Sequence, residues 1–267
     1  AIKYIRNITK SSEHKELDFE VYIDDINKLK NIFLEEKINE VYKDIKVKDI
    51  VALGRNDKWD KVTEITNKID VTWRDLLDHW IHGEDWHEKE KVIEYYDSNV
   101  EGRNFPADHS SKELEVTELN GAYFIYTGNH RIVGAYCYLI SKYGPEKEIK
   151  SIKCTLRNIK QIYVPFFKGL NDNDKIGILQ KTYLSEGNVS YIKVINEEEN
   201  KLKFYEIKLN VVPRLLHEED LIKKDGIFQN CNFGKKKMSE EIEWLKKQSF
   251  FSSGLYDRVI SIWKENI

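Results

Sequence analysis

The chain has 267 residues, of which 40% are hydrophobic and 33% charged, a balance that excludes a disordered chain and suits one large domain or two modest ones. Its 43 Lys and Arg nearly match its 46 Asp and Glu, for a formal net charge of -3, so a blanket nucleic-acid coat is excluded and any anion site must be local. No run reaches the ~18–20 apolar residues of a membrane helix, residues 1–6 lack the apolar core of a signal peptide, and Cys137, Cys154 and Cys231 form neither a metal-type pair nor a disulfide framework; a reducing, cytoplasmic setting is the expectation.

In chain order, Phe19, Ile23, Ile26, Leu29, Ile32, Phe33, Ile38 and Val41 recur at helical spacing. They predict one or two amphipathic helices over 19–45, in a helical N-terminal arm spanning 1–44. Ile45, Val47 and Ile50-Val51 predict a short strand, ended by the turn residues Leu53-Gly54-Arg55-Asn56-Asp57. Trp73, Leu76, Leu77, Trp80 and Ile81 predict a helix that Gly83 breaks, and Val92, Ile93 and Tyr96 a second one. The polar stretch 98–112, with Gly102 and Pro106, reads as a long surface loop.

The middle of the chain is the most legible part. Residues 114–119 alternate like a strand, Asn120-Gly121 is a strong hairpin signal, and 122–126 read as a buried strand. Thr127-Gly128-Asn129-His130-Arg131 then turns the chain into a helix over 132–143, ended by Gly144-Pro145, and 149–156 return as a strand. Beyond Pro165, segments 189–195 and 202–212 predict a longer hairpin. Ser239-Glu240-Glu241 caps a helix through Trp244 and Leu245, and Leu255, Val259, Ile262 and Trp263 mark a last one.

The turn carries the sharpest chemistry. A helix N-terminus has unpaired N–H groups and a partial positive charge, so it attracts anions, and Gly128 lets a ligand oxygen approach the backbone. Cations at His130 and Arg131 oppose the helix dipole unless an anion lies between, a local conflict of the kind found at functional sites. Arg131 adds a planar fork suited to phosphate oxygens. The alternative is a structural turn whose His130 and Arg131 pair with carboxylates.

Residues 122–135, read with this turn, resemble the signature of the ParB/sulfiredoxin fold, in which a strand is followed by Gly-X-His-Arg or Gly-Glu-Arg-Arg and an Ala-containing helix. The 149–156 strand and the strand near 45–51 also fit that domain, and the looser resemblance extends over 45–165. It implies an α/β (or α+β) fold with a ParB/sulfiredoxin-like core and a C-terminal hairpin-plus-helices region over 166–267. It also implies phosphate contacts from Thr127, Gly128, Asn129, His130 and Arg131. Sulfiredoxins place a catalytic Cys where Asn129 stands, which argues against their reductase reaction. ParB has Glu then Arg in place of Asn129 and His130, which argues against its CTP clamp. Free-serine kinases and the general ParB-like proteins, some described as nucleases, keep His-Arg but place Asp where Thr127 stands.

A phosphoryl-transfer enzyme also needs a carboxylate as base or Mg²⁺ ligand. Asp49, Asp57, Asp60 and Glu64 lie near the first core strand, and Asp57 is the first choice, with His130 and Arg131 as its catalytic partners; solvated turn acids are the alternative. His79, His82 and His87 with Asp78, Glu84, Asp85 and Glu88 suggest a metal site or a polar helix end, and Asp108-His109 an acid/base pair. Lys150, Lys153, Arg157, Lys160 and Lys168 occur without an acid among them, interleaved with Tyr163, Phe166 and Phe167, a surface for nucleic acid or a triphosphate or simply solvated lysines. Lys235-Lys236-Lys237 adds a second basic spot. Three functions follow: a nucleotide-dependent enzyme using ATP or another nucleotide with Mg²⁺, a DNA- or RNA-binding protein or nuclease, and a non-catalytic nucleotide-sensing or partner-binding module.

Overall fold

The computed structural model describes residues 1–21, 30–35, 39–53, 59–67, 71–79, 89–98, 113–183, 187–196, 201–208, 210–217 and 254–267. The fold is mixed α/β with two sheets, and contacts divide it into residues 1–160 with 253–267 as one unit and 161–252 as another. No helix among the described residues is long and apolar enough to cross a membrane.

The first unit holds a five-stranded sheet in the order β1-β5-β3-β4-β2. Its strands are β1 (Asn39–Lys46), β2 (Ile50–Leu53), β3 (Glu115–Leu119), β4 (Ala122–Thr127) and β5 (Glu148–Arg157). β1 pairs antiparallel with β5, β5 parallel with β3, β3 antiparallel with β4, and β4 parallel with β2. The β3–β4 hairpin turns at Asn120 (φ 47°) and Gly121 (φ 93°), the left-handed pair that a tight two-residue hairpin demands. Residues 39–45, expected to close a helix, form β1 instead. There the apolar positions Val41 and Ile45 also fit an edge strand, and pairing with β5 decides between the two. A one-turn 3₁₀ segment, Val47–Asp49, separates β1 from β2.

Helix α5 in our numbering (Asn129–Tyr143) follows β4, and Ile132 through Ile140 are buried without interruption. A helix buried on every side must be enclosed. α1 (Ile2–Ser11), α3 (Trp73–His79) and α4 (Lys89–Asp97) pack against it, while α2 (Trp59–Thr66) packs on α3. Trp73 stacks on Tyr136 at 4.0 Å between ring centroids, and the Tyr136 hydroxyl donates to the Glu16 carbonyl at 3.3 Å. The Thr72 hydroxyl accepts from Asp75 N–H at 3.3 Å while the Asp75 carboxylate accepts from Thr72 N–H at 3.0 Å, a capping box that starts α3.

Two arginines lock α1 to α3 by exchange. Arg6 of α1 donates to the Leu77 and Asp78 carbonyls at the end of α3, at 3.0 and 2.9 Å. Arg74 of α3 donates to the Thr9 and Ser12 carbonyls at the end of α1, and reaches Asp18 at 2.7 Å. Each guanidinium thus satisfies C-terminal carbonyls that a helix leaves open, at the end where the dipole favours a cation.

α7 (Gly254–Glu265) returns to this first unit. Trp263 Nε1 donates to the Leu119 carbonyl at 2.7 Å and meets Phe33 edge-on, and Arg258 donates to the Val51 carbonyl at 2.8 Å. A Cβ on Gly121 would stand 2.6 Å from Asn266 Nδ2, so the hairpin turn is also where the C-terminal segment docks.

The second unit contains α6 (Val164–Lys168) and an antiparallel meander of β6 (Asp174–Tyr183), β7 (Gly187–Asn196), β8 (Lys201–Lys208) and β9 (Arg214–Leu216). The expected hairpin is β7–β8. β6 was not legible, because Gly177 and Gln180-Lys181 interrupt its apolar run and pairing with β7 along its whole length supplies the order. The helix expected after Ser239 lies outside the described residues.

Asp97, at the end of α4, accepts from Tyr138, Lys142 and Tyr143 of α5, at 2.5, 2.5 and 2.8 Å. Burial alone would raise its carboxyl, but these donors outweigh it and hold the pKa below the ordinary value. Stability from a depressed carboxyl is present above the unfolded pKa of about 3.9 and lost as pH falls through the folded pKa. Asp97→Asn should therefore flatten the acid limb of stability against pH in urea titrations. At pH 7 it should cost about 1 kcal/mol, a figure discounted for partial exposure. Arg74→Ala should cost about 2 kcal/mol in the same measurement, since it leaves α1 carbonyls unsatisfied, and Arg74→Lys should recover only part of it.

Candidate functional site

β4 ends at Thr127, and Gly128 is the N-cap of α5 at φ 93°, ψ 27°, with no side-chain capping bond and no acid in the first turn. The Gly128 carbonyl accepts from Ile132 N–H at 3.0 Å, which closes the first helical turn. The amides ahead of Ile132 have no partner within the helix. A Cβ at 128 would meet Leu114 Cδ2 at 2.2 Å and Arg131 Nη2 and Nε at 3.1 and 3.3 Å. The space that a Cβ would take at 128 is filled by Leu114 and the Arg131 guanidinium. Glycine here admits the arginine to the helix end.

Arg131 is half-buried, and burial lowers its pKa while the Tyr95 and Tyr96 phenols pull the other way. The Tyr96 hydroxyl donates to the Arg131 carbonyl at 3.2 Å, tying α4 to the start of α5. His130 is exposed. The Thr127 hydroxyl turns away to Glu115, donating to Oε2 at 3.3 Å. Asn129 is buried, and its Oδ1 has no hydrogen-bond partner among the described residues. A carbonyl oxygen accepts, so what it lacks is a donor or a hard cation, not a phosphate oxygen.

The candidate acids separate. β2 ends at Leu53 opposite Ile125, at the same sheet edge as the turn; Asp57, four residues on, lies outside the described residues. Asp49 is at the other end, beside Ile50, whose partner Tyr123 is four residues, about 13 Å at ~3.3 Å per residue, short of Thr127. Burial raises its carboxyl, against Lys48 and Lys46. Asp60 and Glu64 fall on α2, where Glu64 is exposed. His79 ends α3, whereas His82, His87, Asp108 and His109 lie outside the described residues. Among the described residues no group of three His, Cys, Asp or Glu is placed to hold a metal.

The basic strand is largely neutralised. Lys150 pairs with Glu148 and, at 3.0 Å, with Asp44. Lys153 pairs with Glu115 at 3.2 Å and Glu40 at 3.7 Å. Both ammonium groups are raised by these carboxylates. Arg157 has no ion pair among the described residues. Tyr163 and Phe167 are core residues of the second unit rather than an open stacking surface, and Lys235-Lys236-Lys237 lies outside the described residues. Cys137 and Cys154 are buried thiols, with Cys154 pushed up to about 12 by burial and Glu118, which leaves no reactive sulfur among the described residues.

A cleft of about 320 Å³ opens on one face of the sheet, lined by Lys30, Glu40, Glu115, Thr117, Lys153 and Arg157, with Val116, Tyr126 and Thr155. Glu115 and Thr117 of β3 and Lys153, Thr155 and Arg157 of β5 share one parity, which alternation could have revealed; Lys30 joins from 123 positions ahead of Lys153 and carries no sequence signal. No protein-family model, curated protein or solved structure matches the chain.

Proposed function

We propose that the first unit is a ParB/sulfiredoxin-like domain that binds a nucleotide phosphate at 127–131 and, with Mg²⁺, transfers a phosphoryl group to a small molecule. The observation that carries the phosphate reading is the uncapped start of α5, with the Arg131 guanidinium folded against the left-handed Gly128. The positive end of the helix dipole and a half-buried guanidinium converge there, and an oxyanion between them would be held by both. Gly128 and Arg131 are the direct phosphate-binding pair in this reading. His130 is an exposed outer contact, Thr127 and Glu115 orient the strand end, and the Asn129 carbonyl offers an oxygen to Mg²⁺ or to a nucleotide hydroxyl. Asp57, which lies outside the described residues, remains the proposed base on the sequence reading.

A nucleic-acid-binding reading draws on Lys150, Lys153 and Arg157, but the first two already have carboxylate partners, which favours the small-molecule reading.

Melting the protein with ATP or ADP, with and without Mg²⁺, tests the turn. Nucleotide at a hundredfold its Kd should add about 2.7 kcal/mol of stability, and Arg131→Ala should abolish the shift. An unshifted melt with every nucleotide would sink the proposal. Gly128→Ala should lower stability by about 1–3 kcal/mol, through positive φ and the Leu114 clash, and weaken nucleotide binding as Arg131 is displaced.

A further inference from the structure

The cleft on the sheet face has a charge arrangement that the turn does not use. Register builds it: β3 and β5 run parallel with Glu115 opposite Lys153 and Thr117 opposite Thr155. Alternate residues share a face, so Lys153, Thr155 and Arg157 form a row beside Glu115 and Thr117. At one end Lys153 is held between Glu115 and Glu40. Arg157 is four residues further along β5, about 13 Å away at ~3.3 Å per residue, and there the cleft is lined by Lys30 as well.

Among the described residues that second end is cationic and uncompensated. Neither Lys30 nor Arg157 has a carboxylate partner among the described residues, and Arg157 Nε is buried with no acceptor. Burial and the Arg157 charge both lower the Lys30 pKa, the response of an ammonium held close to another cation. Two cations sharing one opening disfavour the empty cleft, and a buried guanidinium N–H without an acceptor adds to the cost.

We infer that this cleft binds a small organic anion, its carboxylate or phosphate group held between Lys30 and Arg157 with the Thr117 and Thr155 hydroxyls beside it. An oxyanion supplies the acceptor that Arg157 Nε lacks and separates the two cations. The volume of about 320 Å³ suits a small molecule and not a macromolecular strand. Tyr126, 67% exposed, lines the cleft and offers a ring to the rest of the ligand. Tyr126 directly precedes Thr127, so the cleft adjoins the turn through β4. The inference stands whatever the turn binds; if the turn takes a nucleotide, the cleft is the place for an anionic second substrate.

The test is a titration of the ¹⁵N-labelled 267-residue chain with inorganic phosphate and, separately, with malonate, followed by ¹H–¹⁵N correlation spectra in buffer free of both ions. The expected result is a saturable shift of Arg157 Nε–H and of the Thr117 and Thr155 amides with at least one probe, the stronger probe distinguishing phosphate from carboxylate ligands. Lys30→Gln and Arg157→Gln should each weaken it about tenfold, with dispersed spectra showing that the variants fold, and Arg131→Ala should leave it unchanged. The inference is overturned if neither probe gives a saturable shift, if the shifts persist undiminished in Lys30→Gln and Arg157→Gln, or if they centre on residues 128–131. The last outcome would leave the turn proposal standing alone, whereas a cleft response without any nucleotide-induced melting shift would remove the turn and keep the cleft.

Discussion

Nine consecutive residues of α5, Ile132 to Ile140, are shut away from water, and the rest of the first unit is arranged around that fact. Each large apolar side chain among them contributes about 1.5–3 kcal/mol when fully buried, but only if every side of the helix is covered. The sheet, α1, α3 and α4 supply the cover. The run also contains Tyr136 and Tyr138, whose hydroxyls need partners in the interior; they find the Glu16 carbonyl and Asp97. Asp97 gathers three donors from α5, so the polar groups of a buried helix decide where the surrounding elements attach. The arginine exchange between α1 and α3 serves the same end, closing the cover by satisfying helix ends rather than by apolar contact alone.

Burying a helix so completely also fixes where its ends emerge. The N-terminus of α5 lies at the sheet edge where β4 ends and where parallel β2 also ends, an arrangement that in open α/β sheets places ligands outside the carboxyl ends of strands. The absence of a Cβ at Gly128 leaves room in this corner for Leu114 and the Arg131 guanidinium. A cation at the positive end of a helix is unfavourable by itself unless an anion lies between. The proposed phosphate reading rests on that electrostatic argument.

The sheet face shows the complementary case. Most of its charges are matched, with Lys150 on Asp44 and Glu148, and Lys153 on Glu115 and Glu40. Such exposed or half-exposed pairs add little stability, but they remove those lysines as a ready coat for nucleic acid. Against this matched background the Lys30 and Arg157 corner stands out, because only there does the face leave positive charge without a carboxylate among the described residues.

Local chemistry by itself determined much of this protein. Asn120-Gly121 specified a hairpin, Thr127–Arg131 a turn into a helix, the spacing over 132–143 that helix, and 149–156 a returning strand, because each depends on backbone preferences within a few residues. Spacing placed α3, α4, α7 and the β7–β8 hairpin for the same reason. Tertiary structure decided what depends on distant partners. Residues 39–46 carry apolar spacing that suits a helix or an edge strand, and β5 chose the strand. Leu114 and Arg131 filled the space that glycine alone left open, carboxylates from β1 and β3 took up Lys150 and Lys153, and α7 crossed back to the hairpin. The cleft belongs wholly to this second kind: its strand rows were implicit in a period of two, but joining Lys30 to Arg157 required the chain to fold, since like charges so far apart in sequence meet only when burial elsewhere holds them together.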